Sequence, residues 1–122
     1  MTSQRSLLRC TALLALAGCT TGLDPSAPDF GANYQVSTES LPAISGTALV
    51  VTLVYGGCNG GHTFQLITRT RDLSSEIWLK KITDDQPCDM LITEDRAFEL
   101  PNAVAQSLDV TLLAPNGEFP IR

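Results

Sequence analysis

The chain has 122 residues, four cysteines, one histidine and a formal net charge of −5. That length allows a single small domain with a limited core. The acidic balance argues against nucleic acid and against broad electrostatic contact with anionic lipid, and a lone histidine narrows acid–base catalysis.

The first residues read "MTSQRSLLRCTALLALAGCTTG". Arg5 and Arg9 form a short basic region, and Cys10 to Ala17 form an apolar run broken only by Thr11. The run is too short to span a bilayer as a helix, which takes about 20 apolar residues. A basic start, a short apolar run and small residues before a cut site describe a secretory signal. Its end, Leu16-Ala17-Gly18-Cys19, resembles a bacterial lipobox. The resemblance implies cleavage after Gly18 and acylation of Cys19. Removing residues 1–18 leaves 122 − 18 = 104 residues with a side-chain charge of (8 − 2) − 13 = −7. Attachment to a membrane then rests on the acyl chains, each buried methylene contributing about 0.8 kcal/mol. Thr20 stands where many inner-membrane lipoproteins carry Asp, which implies delivery to the outer membrane, facing the periplasm.

Residues 19–33 mix Pro, Gly, Ser and Asp with few apolar side chains and read as a flexible tether. Residues 34–122 read as one all-β domain, a small antiparallel β-sandwich or partly open barrel. "GTALVVTLVY" puts Leu49, Val51, Leu53 and Tyr55 on one face, with Val50 and Val54 making the other face apolar too. Such a run predicts a central strand covered on both sides. "HTFQLITR" puts His62, Phe64 and Leu66 together. In "SEIWLKKIT" each phase holds apolar residues and a lysine, so the inward face stays open, and Trp78 is expected to pack rather than to recognise. "CDMLITED" alternates through Met90 and Ile92, "RAFEL" through Phe98 and Leu100, and "SLDVTLLAP" through Leu108, Val110 and Leu112. Only "PNAVAQSL" allows a helical turn, with Pro101 at its first position.

Cys58 and Cys88 remain once Cys19 is acylated. An exported compartment oxidises thiols, and two cysteines allow one intramolecular pair. A bond across 30 residues stabilises by about 3.5 kcal/mol in the chain-entropy account. In "GGCNGGH", Gly56, Gly57, Gly60 and Gly61 tolerate positive φ, and Asn59-Gly60 suits a tight turn. A hairpin or bulged corner is expected there, tied by Cys58 to the start of the "CDMLITED" strand. Sharper readings compete. Zinc on Cys58, His62, Cys88 and Asp89, or Asp85, has the donor types without a strong spacing. A Cys58–His62 nucleophile requires a free thiol. Asp84, Asp85 and Asp89 suit a solvated turn better than a calcium site. The expectation is no metal and no cofactor. Trp78 between two cysteines evokes an immunoglobulin domain, but Cys58 sits in a glycine turn rather than a strand.

"VVTLVYGGCNGGHTFQL" and "PCDMLITEDRAFEL" together resemble a group of small uncharacterised bacterial lipoproteins. In that pattern a strand ends Y-G-G-G-C, followed by x-x-H-x-F-x-L and later by a cysteine and F-x-L-P. Tyr55, Gly56, Gly57, Cys58, His62, Phe64, Leu66, Cys88, Ile92, Phe98, Leu100 and Pro101 fall on it, within residues 49–113. One glycine before Cys58 is missing, and three residues rather than two separate Cys58 from His62. A more distant similarity is to the C-terminal domain of NigD-like lipoproteins. The resemblance implies a β-sandwich lipoprotein and no activity. The expected function is a non-enzymatic binding module contacting an envelope protein or glycan. The alternative is an envelope protease inhibitor presenting the glycine loop. A hydrolase would have to converge carboxylates such as Asp84, Asp85 and Asp89 in a cleft.

Overall fold

The computed structural model describes residues 27–122. The signal segment, Cys19 and the first part of the tether lie outside the described residues. The elements in chain order are β1 (Gln35–Val36), β2 (Ala43–Ser45), β3 (Ala48–Gly57), β4 (Phe64–Arg71), β5 (Ser74–Lys81), β6 (Met90–Glu99), α1 (Asn102–Ala105), β7 (Asp109–Ala114) and β8 (Gly117–Pro120).

They form two sheets. In the first, β3 is central. β6 pairs antiparallel along its full length, while β1 and β2 share its other edge at Leu53–Val54 and Ala48–Val50. The second has the order β8-β7-β5-β4. Side chains from both sheets meet in one core, with Leu49, Val51, Leu53 and Tyr55 of β3 facing Ile77, Leu79, Val110 and Leu112. This is an open β-sandwich, not a closed barrel. The second sheet is mixed: β5 and β7 are parallel. The chain leaves β5, crosses to the first sheet as β6, and returns through α1, so β7 starts at the same end as β5. Only a long crossover permits parallel neighbours.

Alternation decides most faces, and the exceptions are physical. Val50 is exposed and Val54 half-buried, so the outer face of β3 is not covered as its apolar run predicts. On β5 the inward phase is Ser75, Ile77, Leu79 and Lys81. Trp78 points to the outer face yet is buried, with the Arg69 guanidinium 5.2 Å from its ring centre. Leu108, expected inside with Val110 and Leu112, is 65% exposed, because β7 starts one residue later. α1 is a single turn, with Pro101 as its N-cap rather than its first residue and Val104 fully buried.

Phe30 to Ala32, within the stretch expected as tether, lie beside the end of β5. The Lys81 amide donates to the Phe30 carbonyl (2.8 Å), and the Ala32 amide donates to the Lys81 carbonyl (3.0 Å). This bridge is parallel, and Lys80 pairs with Asp29 at 3.1 Å.

Candidate functional site

The glycine-rich stretch starts where β3 ends. β3 lies in the first sheet and β4 in the second, so "GGCNGGH" is a corner between sheets and not a hairpin. Gly56 and Gly57 still belong to β3, and of the four glycines only Gly61 takes positive φ (73°). Gly57 answers to crowding instead. A Cβ there would stand 2.8 Å from Gln86 Oε1 and 2.9 Å from His62 Cε1.

The corner is held from three directions. Cys58 is disulfide-bonded to Cys88, with Cα atoms 4.9 Å apart. The bond takes both thiolates from the alternative zinc set and removes the free thiol a Cys58–His62 nucleophile requires. Among the described residues no group of three His, Cys, Asp or Glu side chains is placed to hold a metal ion, and Asp84, Asp85 and Asp89 are exposed. Gln86, from the loop before Cys88, is the second support. Its Oε1 accepts from the Cys58 amide (2.7 Å) and lies 3.1 Å from His62 Nε2. A carbonyl oxygen only accepts, so Nε2 carries a proton in this contact. Nδ1 is buried and has no partner among the described residues. The His62 ring is 3% exposed and lies 4.4 Å from the Tyr55 ring, tilted by 35°.

The third support comes from β6. Glu94 and Arg96 share the inward phase of Ile92 and Phe98, an uncommon place for charges. Tyr55 donates to Glu94 Oε1 (2.8 Å), and the Gly61 amide donates to Glu94 Oε2 (2.6 Å). Arg96 donates to Glu94 Oε1 (3.0 Å) and to the His62 carbonyl (2.9 Å). Its guanidinium also lies 5.5 Å from the rings of Phe64 and Phe98, lidding the side of the core. Burial opposes the Glu94 charge, but the bonds from Tyr55, Gly61 and Arg96 outweigh it and hold the carboxyl below its ordinary value. Burial and the Glu94 bond raise Tyr55, keeping the phenol a donor. Lys81, 1% exposed, donates to the Thr83 carbonyl (2.7 Å) and lies 5.3 Å from the Tyr55 ring centre. Burial lowers its pKa, against the field of Asp85 and Asp84.

Glu94 and Arg96 are both engaged in holding the corner, and Asn59, Gly60 and Gly61 are exposed at its tip. Three apolar side chains on the segments that meet the corner are exposed, Met90 and Leu91 on opposite faces of β6. Leu91 and Met90 pair with Gly56 and Gly57, and the Ile82 amide donates to the Thr63 carbonyl. Leu91, at 76%, is the most exposed of them. It also borders a shallow groove of about 530 Å³ with Tyr34, Val54, Gly56 and Asn116. Sequence reading found Cys58, Cys88 and His62. It missed Glu94, Arg96 and Gln86, although a Glu and an Arg in the phase of Ile92 and Phe98 were a visible signal on β6. Gln86 carried none. Compared with family models, curated proteins and solved structures, the chain matches none of them.

Proposed function

We propose that this chain is a lipid-anchored protein of the bacterial envelope, acylated at Cys19 and held at the outer membrane. Its glycine-corner end acts as a non-enzymatic docking surface for another envelope protein. The observation that carries the reading is a corner held by a disulfide, Gln86 and the Glu94–Arg96 pair, with Ile82, Met90 and Leu91 exposed beside it. A preorganised surface loses little conformational entropy on binding, and exposed apolar side chains suit a protein partner better than a glycan. The lipobox-like Leu16-Ala17-Gly18-Cys19 and the resemblance to small lipoproteins support the anchor. The protease-inhibitor alternative asks for an apolar residue on the corner itself, and Asn59, Gly60 and Gly61 offer none, so it takes second place.

Envelope-purified protein tests both halves. Mass spectrometry is expected to find an acylated N-terminal Cys19 peptide, lost in Cys19→Ser. Crosslinking in intact cells is expected to give a defined adduct that Leu91→Asp and Met90→Asp abolish and Leu41→Asp, on another exposed site, retains. An unmodified N-terminus would end the anchor reading, and an adduct indifferent to Leu91 and Met90 would end the docking reading.

A further inference from the structure

The two ends of the sandwich differ in chemistry. The corner end carries Asp84, Asp85 and Asp89, all exposed. At the opposite end the β4–β5 turn and the residue before β7 bring two leucines side by side. The amides of Leu108 and Asp109 donate to the Leu73 carbonyl (2.8 and 3.3 Å), while the side chains of Leu73 (58% exposed) and Leu108 (65%) face solvent. Arg71 and Arg122, both exposed, stand there against Asp72, Asp109 and Glu99, one negative charge in excess, and Arg122 is fixed by bonds to the carbonyls of Ala105 and Ser107.

The direction of the entering chain points to the second of these ends. Gly31 bridges Lys81 in parallel, so the residues before it run back along β5 towards Leu73. Ala27 accordingly borders a groove with Arg69 and Glu76, upstream on the same sheet. From Glu76 to Leu73 is three residues, about 10 Å of strand. From Ala27 to Cys19 is eight, with a reach of at most about 28 Å. Eight residues span either distance, since Lys81 at the corner end is five residues of strand from Glu76, about 17 Å; the Leu73 end is the one towards which the chain before Gly31 runs.

We infer that the Leu73–Leu108 end is a membrane-resting surface, its two leucines entering the interface of the bilayer that holds the acyl chains. The inference rests on acylation at Cys19. An anionic bilayer repels the corner end, with Asp84, Asp85 and Asp89, more than the leucine end, where two arginines offset most of the acid, so the corner faces away from the membrane, open to a partner.

The test uses the acylated full chain in vesicles of phosphatidylethanolamine and phosphatidylglycerol, with or without brominated acyl chains that quench nearby tryptophan. Leu73→Trp, Leu108→Trp and, at the other end, Leu91→Trp are all exposed positions that spare the core. Native Trp78, buried within the protein, serves as the common background. The expected result is a loss of emission in brominated vesicles for the first two variants and none beyond background for the third. Quenching at Leu91→Trp equal to the others, or quenching at none with acylated Cys19 confirmed by mass, overturns the surface while leaving the anchor standing. A Cys19 peptide without acyl mass overturns both. A blue shift at Leu108→Trp without quenching means that a second copy covers the leucines, and overturns the membrane assignment.

Discussion

Glu94 shows how one inward charge is made tolerable and what that implies for acid. It has two oxygens and three donors, from Tyr55, Gly61 and Arg96. Its folded pKa lies below the ordinary value, so the unfolded chain binds more protons in acid and stability rises with pH through that window. The contribution is complete above the ordinary glutamate value of 4.5 and lost as pH falls through the lower folded value. Glu94→Gln lacks it. Melting curves of the two proteins should differ by a constant amount from neutral pH down to about 5, then converge in more acid solution. Curves that stay parallel there would show that Glu94 does not titrate as its partners require. Gly57 gives a steric counterpart. Gly57→Ala pushes a methyl against Gln86 and His62, and a cost of about 1–3 kcal/mol is expected by denaturant titration. Gly56→Ala, whose Cβ meets only the Met90 carbonyl at 3.8 Å, should cost less.

At the scale of elements, the disulfide joins the end of β3 to the loop entering β6, two strands that already pair along ten residues. Its contribution therefore falls on the 30-residue excursion between them, which contains β4 and β5. Cys58→Ser and Cys88→Ser should each cost about 2–4 kcal/mol, and the double variant no more than either, since all three lose one bond. Chelator should leave the melt unchanged. A double variant markedly worse than the singles would mean that the cysteines also act separately. β6 itself is a long edge, paired only with β3 among the described residues. Its inward Glu94 and Arg96 are the kind of charge that discourages pairing with a foreign strand. The strands and the disulfide were legible because alternation and cysteine number constrain them locally. The inward face of β5 was not, since both phases hold apolar residues and a lysine, and burial of Lys81 depends on the Thr83 carbonyl and the Tyr55 ring. Nor was the outer exposure of Val50: an apolar side chain reports what a strand tolerates, while cover depends on which elements arrive later in the chain. The corner was half legible. Its cysteine and histidine stood out, but the residues that hold it come from β6 and the 82–89 loop, far away in sequence.

Across the whole molecule, the open sandwich must stop its two sheets from separating along both sides. On one side Arg96 of β6 lies over Phe64 of β4. On the other, the β7–β8 turn supplies Asn116. Its Oδ1 accepts from the Val36 amide (3.0 Å), and its Nδ2 donates to the Val36 carbonyl (2.9 Å). One side-chain amide thus imitates a neighbouring strand and closes β1 at a residue that is almost fully buried. Two hydrogen bonds at about 0.5–1.5 kcal/mol each, with a buried amide and carbonyl left unpaired, set an expected loss of about 1–3 kcal/mol for Asn116→Ala. Asn116→Asp discriminates this account from simple crowding. It keeps the acceptor for the Val36 amide and the size of the side chain, but sets a carboxylate oxygen against the Val36 carbonyl. At neutral pH it should be no more stable than Asn116→Ala, and it should recover in acid, where a protonated carboxyl donates to that carbonyl. Hydrogen exchange should show the loss first at Val36, ahead of the β3–β6 ladder, because β1 is a two-residue strand with little else to hold it. An Asn116→Asp protein as stable as the native one at neutral pH would mean that the Nδ2 bond contributes nothing and that the two sheets are held on this side by core packing alone.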